Sequence, residues 1–167
     1  MQREAEMKAF GLKSLLIVAV GIALNIHTAY PQQADHYTSA ELLERSQKLQ
    51  AKAVVANGAA SETLEKYGVD YTMLSFRSKD GGAELHKKNA DIFVILDGSA
   101  TLLCGGELVD PKSSTADEEQ GTSIVHATRT ELAKGDVVHI PANTPHQMLV
   151  ATGSSVTYFV IKVREKE

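Results

Sequence analysis

The chain has 167 residues, a formal net charge of −4, 43% hydrophobic residues and 23% charged residues. This composition is typical of a globular protein with one domain, and it excludes a disordered chain and a bundle of membrane helices. Phosphate binding needs a basic face, and the longest Lys/Arg cluster is Lys87-Lys88. The composition therefore argues against a nucleic-acid-binding protein.

The first predicted element is a secretory signal. Two lysines precede the apolar run LLIVAVGIALNI at residues 15–26, and its about 12 residues are too few for a membrane-spanning helix. Small residues at Ala29 and Ala34 offer cleavage positions, with an uncleaved anchor as the alternative. We expect residues 1–34 to be a signal peptide and short leader. The mature protein is then secreted or periplasmic and free of the membrane.

A helix is predicted next. Thr38 followed three residues later by Glu41 forms a capping box, and the leucines and alanines that follow continue a helical pattern to about Val55. The stretch NGAAS at residues 57–61 ends it. We therefore assign residues 35–60 to an N-terminal helix and linker.

From residue 69 onward, short apolar runs separated by glycine-containing turns such as Asp97-Gly98 predict β-strands. The predicted strands lie near 69–77, 83–86, 91–96, 99–104, 122–126, 129–132, 136–140, 146–151 and 155–163. So many short strands favour a sandwich or a barrel over residues 61–167, with an insertion at 105–130. Within the insertion, VDPKSSTADEEQG at 109–121 predicts a solvated loop or an excursion beyond the barrel rim.

Several reactive or charged side chains outside these patterns have ordinary explanations. Cys104 is the single cysteine, so no internal disulfide can form, and its apolar surroundings predict a buried small hydrophobe. His139 lines a pocket or is a satisfied core histidine, and His126 is predicted at the surface. Arg77 and Lys79 neutralise an anionic ligand at the barrel mouth or belong to a solvated edge.

Two segments resemble the two sequence motifs of the cupin superfamily. The first is ELHKKNADIFVILDG at residues 84–98. Its second histidine position is occupied by His86, its glutamate position by Asp91 and its closing glycine position by Gly98. Glu84 stands where the first histidine is usual.

The second segment is GDVVHIPANTPHQMLV at residues 135–150. It matches the second cupin motif at three positions, namely Gly135, Pro141 and His146. Asn143 stands where glycine is usual, and Val150 stands where asparagine is usual. The resemblance covers residues 69–163.

The resemblance implies an all-β fold, a double-stranded β-helix or jelly-roll cupin barrel, here preceded by a short N-terminal helix after the signal peptide. It leaves the reaction open, because this fold family hosts many activities.

The residues themselves indicate a metal site. Glu84 and His86 are two apart on a strand and share a face, the KKN bend lets Asp91 converge on them, and His146 arrives from another strand after Pro145. Two imidazoles and one carboxylate form a facial triad, a donor set that suits Fe(II) and leaves positions open for substrate. We therefore predict His86, Asp91 and His146 as metal ligands.

Each ligand also has a simpler interpretation. His86 can be a solvated strand end, and Asp91, one methylene shorter than glutamate, can be a plain turn residue. Glu84 is a fourth ligand, a surface residue or a general base, and we name it as the candidate catalytic residue. The metal is a divalent transition metal such as Fe, Mn, Zn, Ni or Cu, whose identity the sequence leaves open.

Three functions follow. The first is a metal-dependent enzyme acting on a small organic molecule, as a dioxygenase-like oxidoreductase, an isomerase or a lyase. The second is a non-catalytic module that binds a metal or a sugar. The third is a structural oligomerising domain with a degenerate site. In each case we expect a homodimer, because an open β-sandwich exposes edges that association, with the 38–55 helix packing across, would cover.

Overall fold

The computed structural model describes residues 34–165, so the predicted signal run at 15–26 lies outside the described residues. No helix in this described part is both long enough and apolar enough to cross a membrane. The elements, in chain order, are α1 (Ser39–Val55), β1 (Ala59–Tyr67), β2 (Asp70–Arg77), β3 (Ala83–His86), β4 (Asn89–Cys104), β5 (Glu107–Val109), β6 (Lys112–Thr115), β7 (Glu118–Gly121), β8 (Ser123–Val125), β9 (Thr128–Ala133), β10 (Val137–Ile140), β11 (His146–Leu149) and β12 (Val156–Arg164).

The helix α1 begins and ends where local sequence dictates. The Thr38 hydroxyl accepts a hydrogen bond from the Glu41 amide at 3.2 Å, and the Glu41 carboxylate accepts one from the Thr38 amide at 2.8 Å. The predicted capping box is thus confirmed. Asn57 and Gly58 follow with φ of 54° and 87°, and the Gly58 amide donates to the Ala53 carbonyl at 2.8 Å. This left-handed turn stops the helix.

The strands form a curled antiparallel sheet. Its order is β1-β2-β12-β4-β11-β3-β7-β6, and β9 and β10 both also pair with β4. The strands β5 and β8 form a separate two-stranded ladder. All pairings are antiparallel. The all-β fold class with one N-terminal helix is therefore confirmed.

One long strand replaces two predicted ones. The sequence predicts strands at 91–96 and 99–104 with a turn at Asp97-Gly98, whereas β4 runs through both. Up to Gly98 it pairs with β12, and from Ser99 it pairs with β9. Gly98 has a φ of 77°, and a Cβ there would lie 2.0 Å from the Ser155 carbonyl oxygen. The glycine lets the strand bend from one sheet into the next instead of reversing.

Two other segments differ from the predictions. The residues 109–121 contain the hairpin β6–β7, and β7 pairs with β3 along its length, so the prediction of a solvated loop is wrong. The strand β1 occupies Ala59–Tyr67. The sequence analysis assigned residues up to 60 to the helix and its linker, and it predicted no strand before residue 69. The side chains of β6 are all exposed and those of β1 are mostly polar. Neither segment therefore shows the apolar alternation that predicts a strand.

The apolar residues form two clusters on opposite faces of the sheet. Inside the barrel lie eleven buried residues: Phe93, Ile95, Ala100, Leu102, Leu132, Ile140, Met148, Val150, Val156, Tyr158 and Val160. Between α1 and the outer face lie Leu42, Leu49, Ala53, Leu74 and Phe76. The helix therefore packs on its own sheet, and the expectation that it also packs across a partner stays a prediction.

Candidate metal centre

The candidate centre lies where four strands of the barrel turn polar side chains inward. The strand β3 supplies Glu84 and His86, β4 supplies Asp91, β11 supplies His146 and β12 supplies Lys162. The strand β11 pairs with both β3 and β4, with His146 opposite Glu84. This register brings His86 and His146, which are 60 residues apart in sequence, to one place.

The donor atoms converge. One ligand atom from each of Glu84, His86 and His146 lies within 4.8 Å of the others. The Nε2 atom of His146 is 3.5 Å from Glu84 Oε1 and 3.5 Å from Asp91 Oδ2. The Nε2 atom of His86 is 3.9 Å and 3.6 Å from the same two carboxylates. These separations exceed those of good hydrogen bonds and suit donors arranged around a common centre.

His146 is oriented by the turn that precedes it. Its Nδ1 atom lies 3.0 Å from the Thr144 carbonyl oxygen, and because a carbonyl only accepts, Nδ1 is the donor. The Nε2 atom therefore faces the cluster, where it is buried without a hydrogen-bond partner in the described residues. An imidazole with one nitrogen held by a carbonyl and the other left free is the usual arrangement of a metal-binding histidine.

His86 is held from two sides. Its Nδ1 atom lies 3.3 Å from Oε1 of Glu118 on β7, the strand that the sequence predicted as loop. Its carbonyl accepts a hydrogen bond from the Asn143 amide at 2.7 Å. Asn143 has a φ of 58°, which explains why asparagine can stand at the glycine position of the second motif. Sequence reasoning missed Glu118, because only the β3–β7 register brings it to His86.

Lys162 is the second functional residue that sequence reasoning missed. Its Nζ atom lies 2.6 Å from both carboxylate oxygens of Asp91 and 2.7 Å from Nε2 of His86. A signal for it was present, since every second residue of β12 from Val156 to Lys162 lies on one face. The first three are buried and apolar, so the lysine that follows also points inward.

The cluster shifts the pKa of Glu84 and that of His146 in opposite directions. Burial opposes the charge of Glu84, but the protonated His146, whose Nε2 is 3.5 Å from Glu84 Oε1, and the charge of Lys162 outweigh burial and lower the pKa of Glu84 to about 2. Burial also opposes the charge of His146, but Asp91, Glu84 and the Thr144 carbonyl together raise the pKa of His146 to about 9. The two side chains are therefore oppositely charged at neutral pH.

Burial, His146 and Lys162 together set the pKa of Asp91, and burial and Lys162 lower that of His86. Burial opposes ionisation of Asp91, yet His146 and the Lys162 ammonium lower its pKa below the ordinary value. Burial, followed by the charge of Lys162, lowers the pKa of His86. His86 is thus neutral and accepts the hydrogen bond from Lys162 at Nε2. The two carboxylates of the cluster are balanced by the ammonium of Lys162 and the imidazolium of His146.

A groove of about 470 Å³ is lined by residues of β1, β2 and the turn between them, with Thr63, Tyr71 and Met73 among them, and by none of the candidate ligands. Tyr71 is the cross-strand partner of Lys162, so both side chains lie on the same face of the sheet. Burial, and then the negative charge of the nearby carboxylates, raises the pKa of Tyr71. Tyr71 is therefore the residue that connects the groove to the cluster.

The remaining candidate residues lie elsewhere. His126 is exposed, as predicted, and His139 is exposed rather than lining a pocket or the core. Cys104 is half-buried against the barrel core. The Nε atom of Arg77 donates to the Tyr158 hydroxyl at 2.9 Å, and Lys79 donates to an exposed asparagine side chain at 3.1 Å.

The donor set fits a divalent transition metal ion. Two imidazole nitrogens and carboxylate oxygens are the ligands that Fe, Mn, Zn, Ni and Cu share. Nε2 of His146 is buried without a hydrogen-bond partner in the described residues, and it would become a ligand when a metal ion displaces its proton. Glu84, His86 and His146 are the residues that would hold the ion, with the Asp91 carboxylate within reach of both imidazoles. The Lys162 ammonium lies within the same cluster.

No protein-family model matches the chain, and no curated protein matches it. Among solved structures it is similar to the Cnp3 cupin domain of Schizosaccharomyces pombe, with a TM-score of 0.49, 13% identity and coverage of 64% of this chain and 65% of that one. It is also similar to a cupin-2 domain from Rhodospirillum rubrum, with a TM-score of 0.47, 15% identity and coverage of 65% and 63%. The polyketide cyclase RemF from Streptomyces resistomycificus gives a TM-score of 0.46, 15% identity and coverage of 65% and 68%.

The chain therefore spans less than two thirds of the length of the first two structures. This likeness is one of fold. The first two structures are cupin domains, the fold family that the two sequence motifs resemble.

Proposed function

We propose that the protein is an exported, metal-dependent enzyme that acts on a small organic molecule. The observation that carries the proposal is the convergence of the buried His86 and His146 imidazoles with the Glu84 carboxylate inside the barrel. A divalent ion bound there would supply Lewis-acid or oxygen-activating chemistry. The reaction classes that this supports are oxygenation, isomerisation and lyase chemistry.

The two carboxylates have different access to a bound molecule. The side chain of Asp91 is 2% exposed and its oxygens contact Lys162, whereas the side chain of Glu84 is 34% exposed. A general base has to reach the proton that it removes. Glu84 is therefore the carboxylate that a substrate can reach, but its pKa of about 2 in the metal-free cluster makes it a weak base, which suits a ligand role better than proton abstraction.

The groove lined by Thr63, Tyr71 and Met73 is the proposed substrate site. Its lining combines the Met73 thioether with the Tyr71 and Thr63 hydroxyls, so it offers apolar contact and hydrogen bonds to a small organic molecule. Since Tyr71 and Lys162 are cross-strand partners, a molecule that contacts Tyr71 in the groove lies next to a residue of the cluster.

Elemental analysis of the protein purified without added metal tests the proposal. We expect close to one equivalent of Fe, Mn, Zn, Ni or Cu in the wild type and its loss in His86→Ala and in His146→Ala, because each change removes one of the two imidazoles that the described residues bring to the cluster. His139→Ala removes an exposed histidine and is the matched control. If both site variants keep their metal, the site is not a metal centre.

The variant Glu84→Gln separates the two roles of that residue. A ligand role predicts loss of metal, since the amide oxygen is a weaker donor for a divalent cation. A proton-transfer role predicts retained metal and lost turnover. Turnover would be sought with an oxygen electrode and a panel of small acids and sugars on metal-loaded protein.

A second candidate function is a structural domain without metal. The observation that favours it is the Lys162–Asp91 pair, which satisfies part of the donor set with the protein's own cation. If the protein binds no divalent ion, the structural domain is supported and the metal-dependent enzyme is excluded.

Export is proposed from the sequence, on the apolar run at residues 15–26. Mass spectrometry of the exported protein should find a mature chain that begins between about residues 30 and 35. An intact N-terminus in the exported protein would contradict export by a cleaved signal.

A further inference from the structure

We propose that Lys162 is a built-in competitor of the metal ion: its ammonium has to leave the donor cluster before a divalent cation can bind, so Lys162 sets the metal affinity of the site. This inference rests on the proposed metal site. It adds a residue that controls whether the site is filled.

The first step of the argument is the geometry at His86. The Lys162 ammonium can only donate, so at 2.7 Å it uses the lone pair of Nε2 of His86. A neutral imidazole has one acceptor nitrogen, and a metal ion needs that same lone pair at about 2.0–2.1 Å. The hydrogen bond and the metal bond are therefore mutually exclusive.

The second step concerns Asp91. Both of its oxygens lie 2.6 Å from Nζ of Lys162, and the two side chains are 2% and 11% exposed. The pair is thus held with little access to water, where charge-assisted hydrogen bonds are strong. A metal ion entering beside this ammonium meets a like charge, and it meets a carboxylate whose Oδ2 already accepts a hydrogen bond from Lys162.

The third step is that the lysine has somewhere to go. The backbone of Lys162 is fixed between two strands, opposite Tyr71 on β2 and Asp91 on β4, so the competing cation can leave only by side-chain rotation. The groove lined by Tyr71 and Met73 lies on the same face of the sheet. The flexible four-carbon stem of a lysine can carry the ammonium into that space.

Titration calorimetry with Zn²⁺ and with Mn²⁺ on the chelator-treated full chain tests the proposal. Lys162→Met keeps the length and removes the charge, and we expect it to bind roughly tenfold more tightly than the wild type, or better. Lys134→Met makes the same change of net charge at an exposed surface lysine and should bind as the wild type does.

A second comparison avoids leaving the buried Asp91 carboxylate without its Lys162 partner. Asp91→Asn would be compared with the double variant Asp91→Asn/Lys162→Met, which buries no unpaired charge and keeps Glu84, His86 and His146. The double variant should bind metal more tightly than the single one. Thermal unfolding of each metal-free variant establishes that it is folded.

The outcomes separate the inference from the proposed function. If the wild type binds metal and neither removal of Lys162 tightens binding, the lysine is not a competitor and the metal site stands. If only the variants without Lys162 bind, the lysine blocks the site and the wild type is not a metal enzyme. If no protein in the set binds metal, both proposals are overturned.

Discussion

His146 is the residue whose charge depends most visibly on its neighbours. Its pKa is about 9 in the folded chain and 6.5 ordinarily, so the protonated imidazole stabilises the metal-free fold. This contribution, up to about 3 kcal/mol, is fully present below pH 6.5 and is lost as the pH rises through about 9. In chelator-treated protein, the stability difference between the wild type and His146→Gln should shrink over that range in urea unfolding. A difference that stays constant would contradict the charge assignment.

Gly98 and Gly153 form a matched pair for testing the barrel corner. Both have a positive φ, 77° and 80°, but a Cβ at Gly98 would lie 2.0 Å from the Ser155 carbonyl, whereas nothing lies within 4 Å at Gly153. Gly153→Ala should cost about 1–2 kcal/mol of unfolding free energy from the backbone conformation alone. Gly98→Ala should cost clearly more, because backbone has to move. Equal losses in urea unfolding would show that the close approach is unimportant.

At the scale of elements, the buried face of α1 is expected to contribute to the unfolding free energy. Leu49, on the buried face of α1, is 0% exposed, whereas Val54 on the same helix is 83% exposed. Leu49→Ala should lower the unfolding free energy by about 2–5 kcal/mol through lost burial and a cavity. Val54→Ala should change it by less than about 0.5 kcal/mol. A small effect at Leu49 in chemical denaturation would mean that the helix docks only loosely.

The hairpin β6–β7 shows how an element can be functional and still be invisible in sequence. Its polar and acidic residues predict a solvated loop, because neither face of the hairpin is a continuous buried apolar surface. Its pairing with β3 nevertheless places Glu118 beside His86. A contact of this kind depends on strand register, which local sequence does not specify for exposed strands.

For the molecule as a whole, the homodimer remains a prediction. The strand β1 ends the sheet with one hydrogen-bonded neighbour, and apolar side chains at Val55, Tyr67 and Val69 are exposed near the β1 ends. Association would cover such an edge and its apolar neighbours. Light scattering at micromolar concentration should give twice the mass of the mature chain, and a monomeric mass would contradict the prediction.

The sequence by itself determined the helix, the β-rich class and the candidate ligands. The capping box at Thr38 and Glu41 is local chemistry, and apolar runs punctuated by glycines specify strands without reference to distant residues. The resemblance of the two segments to the cupin motifs implied that His86 and His146 would be neighbours, and the register of β11 with β3 brings them together.

Only the tertiary structure decided which other groups share the site. Lys162 and Glu118 come from strands 76 and 32 residues away from His86, as the difference in their numbers shows, and no local pattern links them to it. The unbroken course of β4 is a second example. In the sequence Gly98 indicates a turn, and only the packing of Ser155 against it in the folded chain shows that the strand continues. Register and close packing between distant segments are properties of the folded chain, and they determine the charge balance at this site.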